Sequence, residues 1–177
     1  MSQAGYKRNA HLASSAHLSI TRERLEGYKA ALVDNKIPVN ESFIKYCNHG
    51  GMIHAEMQNA VWELMQLKNR PDAIFCAGDR LTIGGLTAMK SLGIRIPDDV
   101  ALVGFTNSAL VELIDPSLTA IKQPAFEMGQ AATELLIKLI ESKRPVTEFE
   151  TVVLQTEIFI RDSTPAISQA KNIKTMV

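Results

Sequence analysis

Short runs of β-branched and aromatic residues alternate along this chain with longer stretches in which apolar residues recur every three or four positions. Nothing else limits the fold as much. Residues 10–13 form a short apolar run closed by Ser14 and Ser15. Positions 20–35 carry Leu25, Tyr28, Ala31 and Leu32 on one helical face, with charged residues opposite. The unit recurs as a strand at 43–47 and a helix at 54–67, with Met57, Val61, Leu64 and Met65 inward. Residues 73–77 and 100–105 are continuous apolar runs, as parallel strands buried on both faces require. The helix between them, 81–92, stops at Gly93, with Pro97 soon after. A short helix at 110–114, an extended piece at 118–121 and a helix opened by Pro124 follow. Residues 151–160 alternate in polarity and read as an edge strand. Strands separated by helices of this length imply right-handed crossovers. The expected fold class is therefore α/β, a parallel sheet with flanking helices.

Composition narrows the function. Of 177 residues, 46% are hydrophobic and 21% charged, which is the balance of a packed globular chain. Nineteen basic residues against nineteen acidic ones leave no basic surplus, so sustained nucleic-acid binding by this piece alone is disfavoured. No apolar run is long enough to span a membrane, and the first residues lack the apolar core of a signal peptide. Cys47 and Cys76 both lie in apolar stretches, which fits free buried thiols in a reducing cytoplasm.

In a parallel sheet, ligands bind at the loops following the carboxyl ends of the strands. Those loops hold His17, Arg22, Arg24, Asn48, His49, Asp79, Arg80, Thr106 and Asn107, a clustering that points to a ligand mouth. No dinucleotide fingerprint, phosphate loop, zinc-protease helix, C-x-x-C pair or nucleophile elbow occurs, so neither catalysis nor a cofactor is expected. Cys47, His49 and His54 do not converge in the pattern a metal needs, and no metal site is expected. Ser14 and Ser15 read as a turn capping the next helix, Asp79 as a helix N-cap, and Thr106, Asn107 and Ser108 as a cap for the short helix. Arg22 and Arg24 fall in a helical first turn, where cations are disfavoured. Glu23 and Glu26 could balance them on a solvated face, or one guanidinium could point into the mouth to hold hydroxyls, a carboxylate or a phosphate. Gly84, Gly85 and Gly129 interrupt helical patterns and are expected at close packing contacts.

Four motifs in order then resemble the LacI/GalR family of transcriptional regulators. Arg22-Glu23-Arg24-Leu25-Glu26-Gly27-Tyr28 is similar to that family's R-x-x-G-Y/F helix opening. Arg70-Pro71-Asp72-Ala73-Ile74-Phe75 through Gly78-Asp79 is similar to its R-P-T-A-I/V-F-x-x-N-D strand and turn. Leu92-Gly93-Ile94-Arg95-Ile96-Pro97-Asp98-Asp99-Val100, followed by Val103-Gly104-Phe105, and Pro116-Ser117-Leu118-Thr119 through Gln123-Pro124 with Met128-Gly129, supply the other two. Together they cover most of residues 5–162.

The resemblance implies a type I periplasmic-binding-protein-like core, two α/β lobes closing on a small effector, a sugar or related metabolite. It implies the effector-sensing part of a regulator that represses or activates as a homodimer and contacts operator DNA through an upstream helix-turn-helix. The rival of the same fold is a periplasmic-type solute-binding protein. By the same resemblance, residues 16–121 and 149–162 form a nearly complete carboxyl-terminal lobe and residues 9–15 and 122–148 a remnant of the amino-terminal lobe; residues 163–177 are expected to be a flexible tail, since periodicity is lost from Pro165 onward. The effector-contacting arginine falls on Arg24, and Asp79, Thr106, Asn107 and His49 complete the candidate site. At Gly78 and Thr106 the family's asparagine and first aspartate are replaced, which removes one carboxylate able to accept paired hydroxyl bonds. Ile83 and Ile114 fall on the family's dimer face and are expected to be exposed on one protomer.

Overall fold

The computed structural model describes residues 1, 4–142 and 150–165. Six strands form a single sheet: β1 (Asn9–Ala13), β2 (Ile44–Tyr46), β3 (Ala73–Cys76), β4 (Ala101–Phe105), β5 (Thr119–Lys122) and β6 (Glu157–Phe159), in the spatial order β2-β1-β3-β4-β5-β6. The first five run parallel, and β6 pairs antiparallel with β5 at the edge. Helices α1 (Ser19–Asp34), α2 (His54–Gln66) and α3 (Asp79–Ser91) fill the crossovers, and α4 (Ala125–Ser142) follows β5.

Strand period separates two faces. Ala10, Leu12, Ile74, Cys76, Leu102 and Ala120 pack with Met57, Val61 and Leu64 of α2 and Leu81, Ala88 and Met89 of α3 into the main core. The alternate residues Asn9, His11, Phe75, Val103 and Phe105 serve the opposite face, where Tyr28 of α1 meets His11. The Tyr28 hydroxyl donates to the Asn9 carbonyl at 2.6 Å and pins α1 to β1.

This arrangement corrects the expected partition at residues 9–15. That stretch is no remnant of another lobe. Every residue of β1 is buried, and the strand sits between β2 and β3 in the interior of the sheet. A strand covered on both faces and flanked on both edges is an integral layer of the body that surrounds it. The boundary at 163 also falls early. Ser163 is wholly buried and bonds to β4 and β5, so the chain remains part of the fold through Thr164. The rest of the expected tail, 166–177, lies outside the described residues, as does the end of the 122–148 segment.

Gly84 and Gly85 behave as expected. A Cβ at Gly84 would stand 2.9 Å from Met57 Cγ, and one at Gly85 would stand 2.9 Å from Cys76 Sγ. Gly129 does not, because a Cβ there would meet nothing within 4 Å and α4 buries none of its side chains. The tightest case is Gly104 in β4, where a Cβ would run into Thr82 Cγ2 and lie 3.1 Å from Leu118 Cδ2. Gly104→Ala is therefore expected to lower stability by about 1–3 kcal/mol despite alanine's smaller backbone entropy cost. Urea unfolding of the two proteins measures this.

Candidate functional site

Three chain reversals at the carboxyl ends of β1, β3 and β4 bring the candidate residues together. Arg24 lies on α1, which follows β1, and its guanidinium reaches across to β3. Its Nη1 donates to the Ala77 carbonyl at 2.7 Å, and its plane rests 4.1 Å from the centre of the Phe105 ring. Half-burial pushes the Arg24 pKa down, though the group keeps its charge at any physiological pH. Asp79 opens α3, and its carboxylate accepts the hydroxyl of Thr106, which follows β4. Thr106 also accepts the Ser108 amide at 3.1 Å and is wholly buried. Arg24, Asp79 and Thr106 thus tie the ends of three neighbouring strands into one rim.

A cleft of about 250 Å³ opens at this rim. Ser14, Leu18 and Thr21 wall it from β1 and α1, and Gly78, Asp79, Arg80 and Leu81 from the start of α3, with Arg24 between. Gly51 holds the loop before α2 against this wall. It sits at φ +89, and a Cβ there would fall 2.6 Å from the Arg80 carbonyl, so only glycine fits. A larger groove of about 460 Å³ lies on the α1 side of the sheet under Tyr28, Phe75, Val103, Phe105, Ile121 and Ile158. Its lining is mainly apolar, with Arg24, Thr119, Thr156 and Thr164 supplying polar groups.

The other expected site residues stand apart. Asn107 is exposed and tied to Gln123, giving Nδ2 to the Gln123 carbonyl at 2.9 Å and taking the Gln123 amide at 2.8 Å. It braces the crossing between β4 and β5 at the edge of the rim. His49 points outward, with Nδ1 3.4 Å from Glu56, and does not line the cleft. Ile83 is exposed, as expected. Ile114 is half-buried and packs on the core, while its neighbours Leu110 and Leu113 are exposed instead.

The capping expectations divide. Ser108 caps the short 3-10 turn at Ala109–Glu112. Ser14 and Ser15 do not cap α1, whose N-cap is Leu18, and Asp79 is the first residue of α3 with Gly78 at the cap. Neither helix has a side-chain cap. Thr21 escaped notice in the sequence because a threonine in a helical first turn is unremarkable. In the fold it is only 5% exposed and lines the cleft.

A mainly parallel sheet that gathers the loops of successive strands around one cleft is the architecture of a periplasmic-binding-protein-like α/β domain. The chain belongs to the periplasmic binding protein-like domain family, whose model matches residues 1–164, and to the LacI-type regulators that its motifs resemble. It is 31% identical over 163 residues to the ribose operon repressor of Haemophilus influenzae, covering 90% of this chain and 47% of that protein. Among solved structures it is similar to a transcriptional regulator CelR–cellobiose complex, with a TM-score of 0.79 and 30% identity over 91% of this chain and 48% of that one. A regulatory protein of the LacI family from Chloroflexus aggregans gives a TM-score of 0.78 at 28% identity, over 91% and 56% of the two chains. The chain spans about half the length of the curated relatives it matches. Among the described residues no helix is long and apolar enough to cross a membrane.

Proposed function

We propose that this chain is the effector-sensing part of a cytoplasmic DNA-binding transcriptional regulator, binding a small metabolite at the rim formed by Arg24, Asp79 and Thr106. The observation that carries the reading is the joining of three strand ends by those side chains around one cleft. Only an open rim is present in the described carboxyl-terminal body, and the opposing wall belongs to a second lobe to which α4 leads. The apolar side chains Phe126, Leu136 and Ile140 of that helix are exposed here and would be buried there. Effector binding changes the regulator by favouring one arrangement of the two lobes over another. Operator contact and dimerisation belong to the whole regulator, with Ile83 on the face a second copy covers. The chain itself catalyses nothing and needs no cofactor. The relatives named above are regulators, which weighs against a periplasmic solute-binding role.

A thermal-shift panel of sugars, sugar acids, sugar phosphates and nucleobases tests the reading. The hits are expected to lose at least tenfold in affinity in Arg24→Ala, since a hydrogen bond from a charged group contributes about 1.5–3 kcal/mol. Arg95→Ala, which removes an exposed ion pair on a distant loop, is expected to leave them unchanged. Hits bound equally by Arg24→Ala would displace the site, and a panel that shifts nothing would remove the effector reading.

A further inference from the structure

The segment that follows β4 joins the cleft to both ends of the excursion through α4. Thr106 begins it, and its amide donates to the Ile121 carbonyl of β5 at 3.0 Å. Its buried hydroxyl works in two directions. It donates to the Asp79 carboxylate at the cleft and accepts the Ser108 amide at 3.1 Å. The second bond closes the short turn that threonine hydroxyls make with the amide two residues on. Asn107 is the middle residue of that turn, so the aim of its side chain depends on the Thr106 hydroxyl.

Asn107 aims at Gln123. Its Nδ2 donates to the Gln123 carbonyl at 2.9 Å, and its Oδ1 accepts the Gln123 amide at 2.8 Å. The side-chain amide thus imitates a peptide group and adds one rung just past the end of β5. The Gln123 carbonyl also takes the amide of Ala125, the first residue of α4, at 2.8 Å. Farther along the same segment, Ser108 caps the 3-10 turn at Ala109–Glu112. Glu112 ends that turn and accepts Lys122 Nζ at 3.0 Å and Arg161 Nη2 at 2.7 Å. Lys122 closes β5, and Arg161 follows β6. One short stretch therefore grips the chain where it leaves for α4 and where it returns. Asn107 and Glu112 are both exposed, so water competes with their bonds. Such bonds add little to global stability, yet they fix direction.

We propose that residues 106–112 form a coupling clasp in which Asn107, with Glu112 as second anchor, is a positioning residue. The clasp sets the path of the two crossing strands according to whether Thr106 is bonded to Asp79. A ligand donor that takes the Asp79 carboxylate displaces the Thr106 hydroxyl. The turn at Ser108 then loses its fixed acceptor, Asn107 swings, and Gln123 carries the change to the start of α4. The two arrangements of this turn are the element that both ends bias. Only the identity of the displacing group rests on the proposed effector-binding reading.

The test needs no ligand, so the clasp and the effector reading fail separately. Asp79→Ala deprives the Thr106 hydroxyl of its acceptor, and amide NMR of the 177-residue chain reads the far side. The amides of Lys122 and Ala125 are expected to shift, and exchange of the Gln123 amide to speed up about fivefold, with the core amide of Ile74 unchanged. Thr106→Val removes the same bond at nearly constant shape and is expected to act alike, which keeps the test open if Asp79→Ala does not fold. In an Asn107→Ala background the Asp79→Ala shifts at Lys122 and Ala125 are expected to fall about threefold, an interaction that a merely structural asparagine would not produce. Glu112→Gln is expected to reduce the transmitted shift at Lys122 about twofold and to leave that at Ala125 in place. Amides of Lys122, Gln123 and Ala125 that ignore Asp79→Ala and Thr106→Val, or shifts of equal size with and without Asn107, would overturn the clasp and leave the effector site standing.

Discussion

Between pH 6.5 and pH 4 this protein is expected to lose about 3 kcal/mol of stability through a single core side chain, His11. The ring lies on β1 with no exposed surface, 4.8 Å from Tyr28 and 5.4 Å from Phe75, and among the described residues neither nitrogen has a hydrogen-bond partner. Burial, and then the charge of Arg24, push its pKa from 6.5 down to about 4. The folded state therefore keeps His11 neutral where the unfolded chain protonates it. Unfolded molecules bind more protons across that window, so stability is full above 6.5 and falls as the pH drops toward 4. At pH 5 the loss attributable to His11 is about 2 kcal/mol.

The exposed carboxylates Asp99 and Glu112 are held below their ordinary values by their partners, Arg95 for the first and Lys122 and Arg161 for the second, so their contributions fade at lower pH. His11→Leu removes two unpaired ring nitrogens at nearly constant volume. It is expected to stabilise the chain by about 1–2 kcal/mol at pH 7.5, and by clearly more at pH 5. Urea unfolding at the two pH values measures both quantities. A wild-type minus variant difference that does not change with pH would place a partner on the ring.

His11 also marks where sequence reading succeeds and where it stops. Flanked by Ala10, Leu12 and Ala13, it reads as one member of an apolar run, and that was enough to place a strand. Period and run length carry secondary structure and sheet class because both follow from local geometry. Strand burial on two faces is a property of the finished sheet, so the same run gave no sign that 9–15 belongs inside the sheet and not to a neighbouring lobe. The site divides in the same way. That Arg24, Asp79 and Thr106 would lie near one another was legible because strand-end loops in parallel sheets converge by topology, whereas singling them out among the polar loop residues took the family resemblance.

The parts that were not legible depend on where side chains end up. Asn107 pairs with Gln123, sixteen residues on, and His49 turns toward Glu56, contacts that no local pattern encodes. Thr21 lines the same cleft as Gly78 and Asp79, far along the chain, a proximity that no local pattern encodes.

Ser163→Ala is expected to cost about 2–3 kcal/mol, although the residue falls within the expected flexible tail. Its hydroxyl donates to the Leu102 carbonyl in β4 at 2.7 Å and accepts the Thr119 amide of β5 at 2.8 Å. Its own carbonyl takes the Leu102 amide at 3.2 Å. Beside it, the Thr164 and Thr119 hydroxyls lie 2.6 Å apart, and Thr119 Oγ1 accepts the Arg161 amide at 2.8 Å. This cluster stitches the returning chain into the starts of β4 and β5, where no water reaches. Removing the Ser163 hydroxyl leaves a buried amide without an acceptor and a buried carbonyl short of a donor, and the desolvation of those groups is what the protein then bears uncompensated.

Ser117 offers the contrast. Its hydroxyl gives a 2.6 Å bond to Asp162 at the surface, where water replaces either partner, so Ser117→Ala is expected to cost less than about 1 kcal/mol. Unfolding midpoints of the two variants, at unchanged denaturant slope, separate a buried polar stitch from a solvated one. Equal midpoints would mean that the chain end frays from the sheet in solution and that the body closes at Asp162.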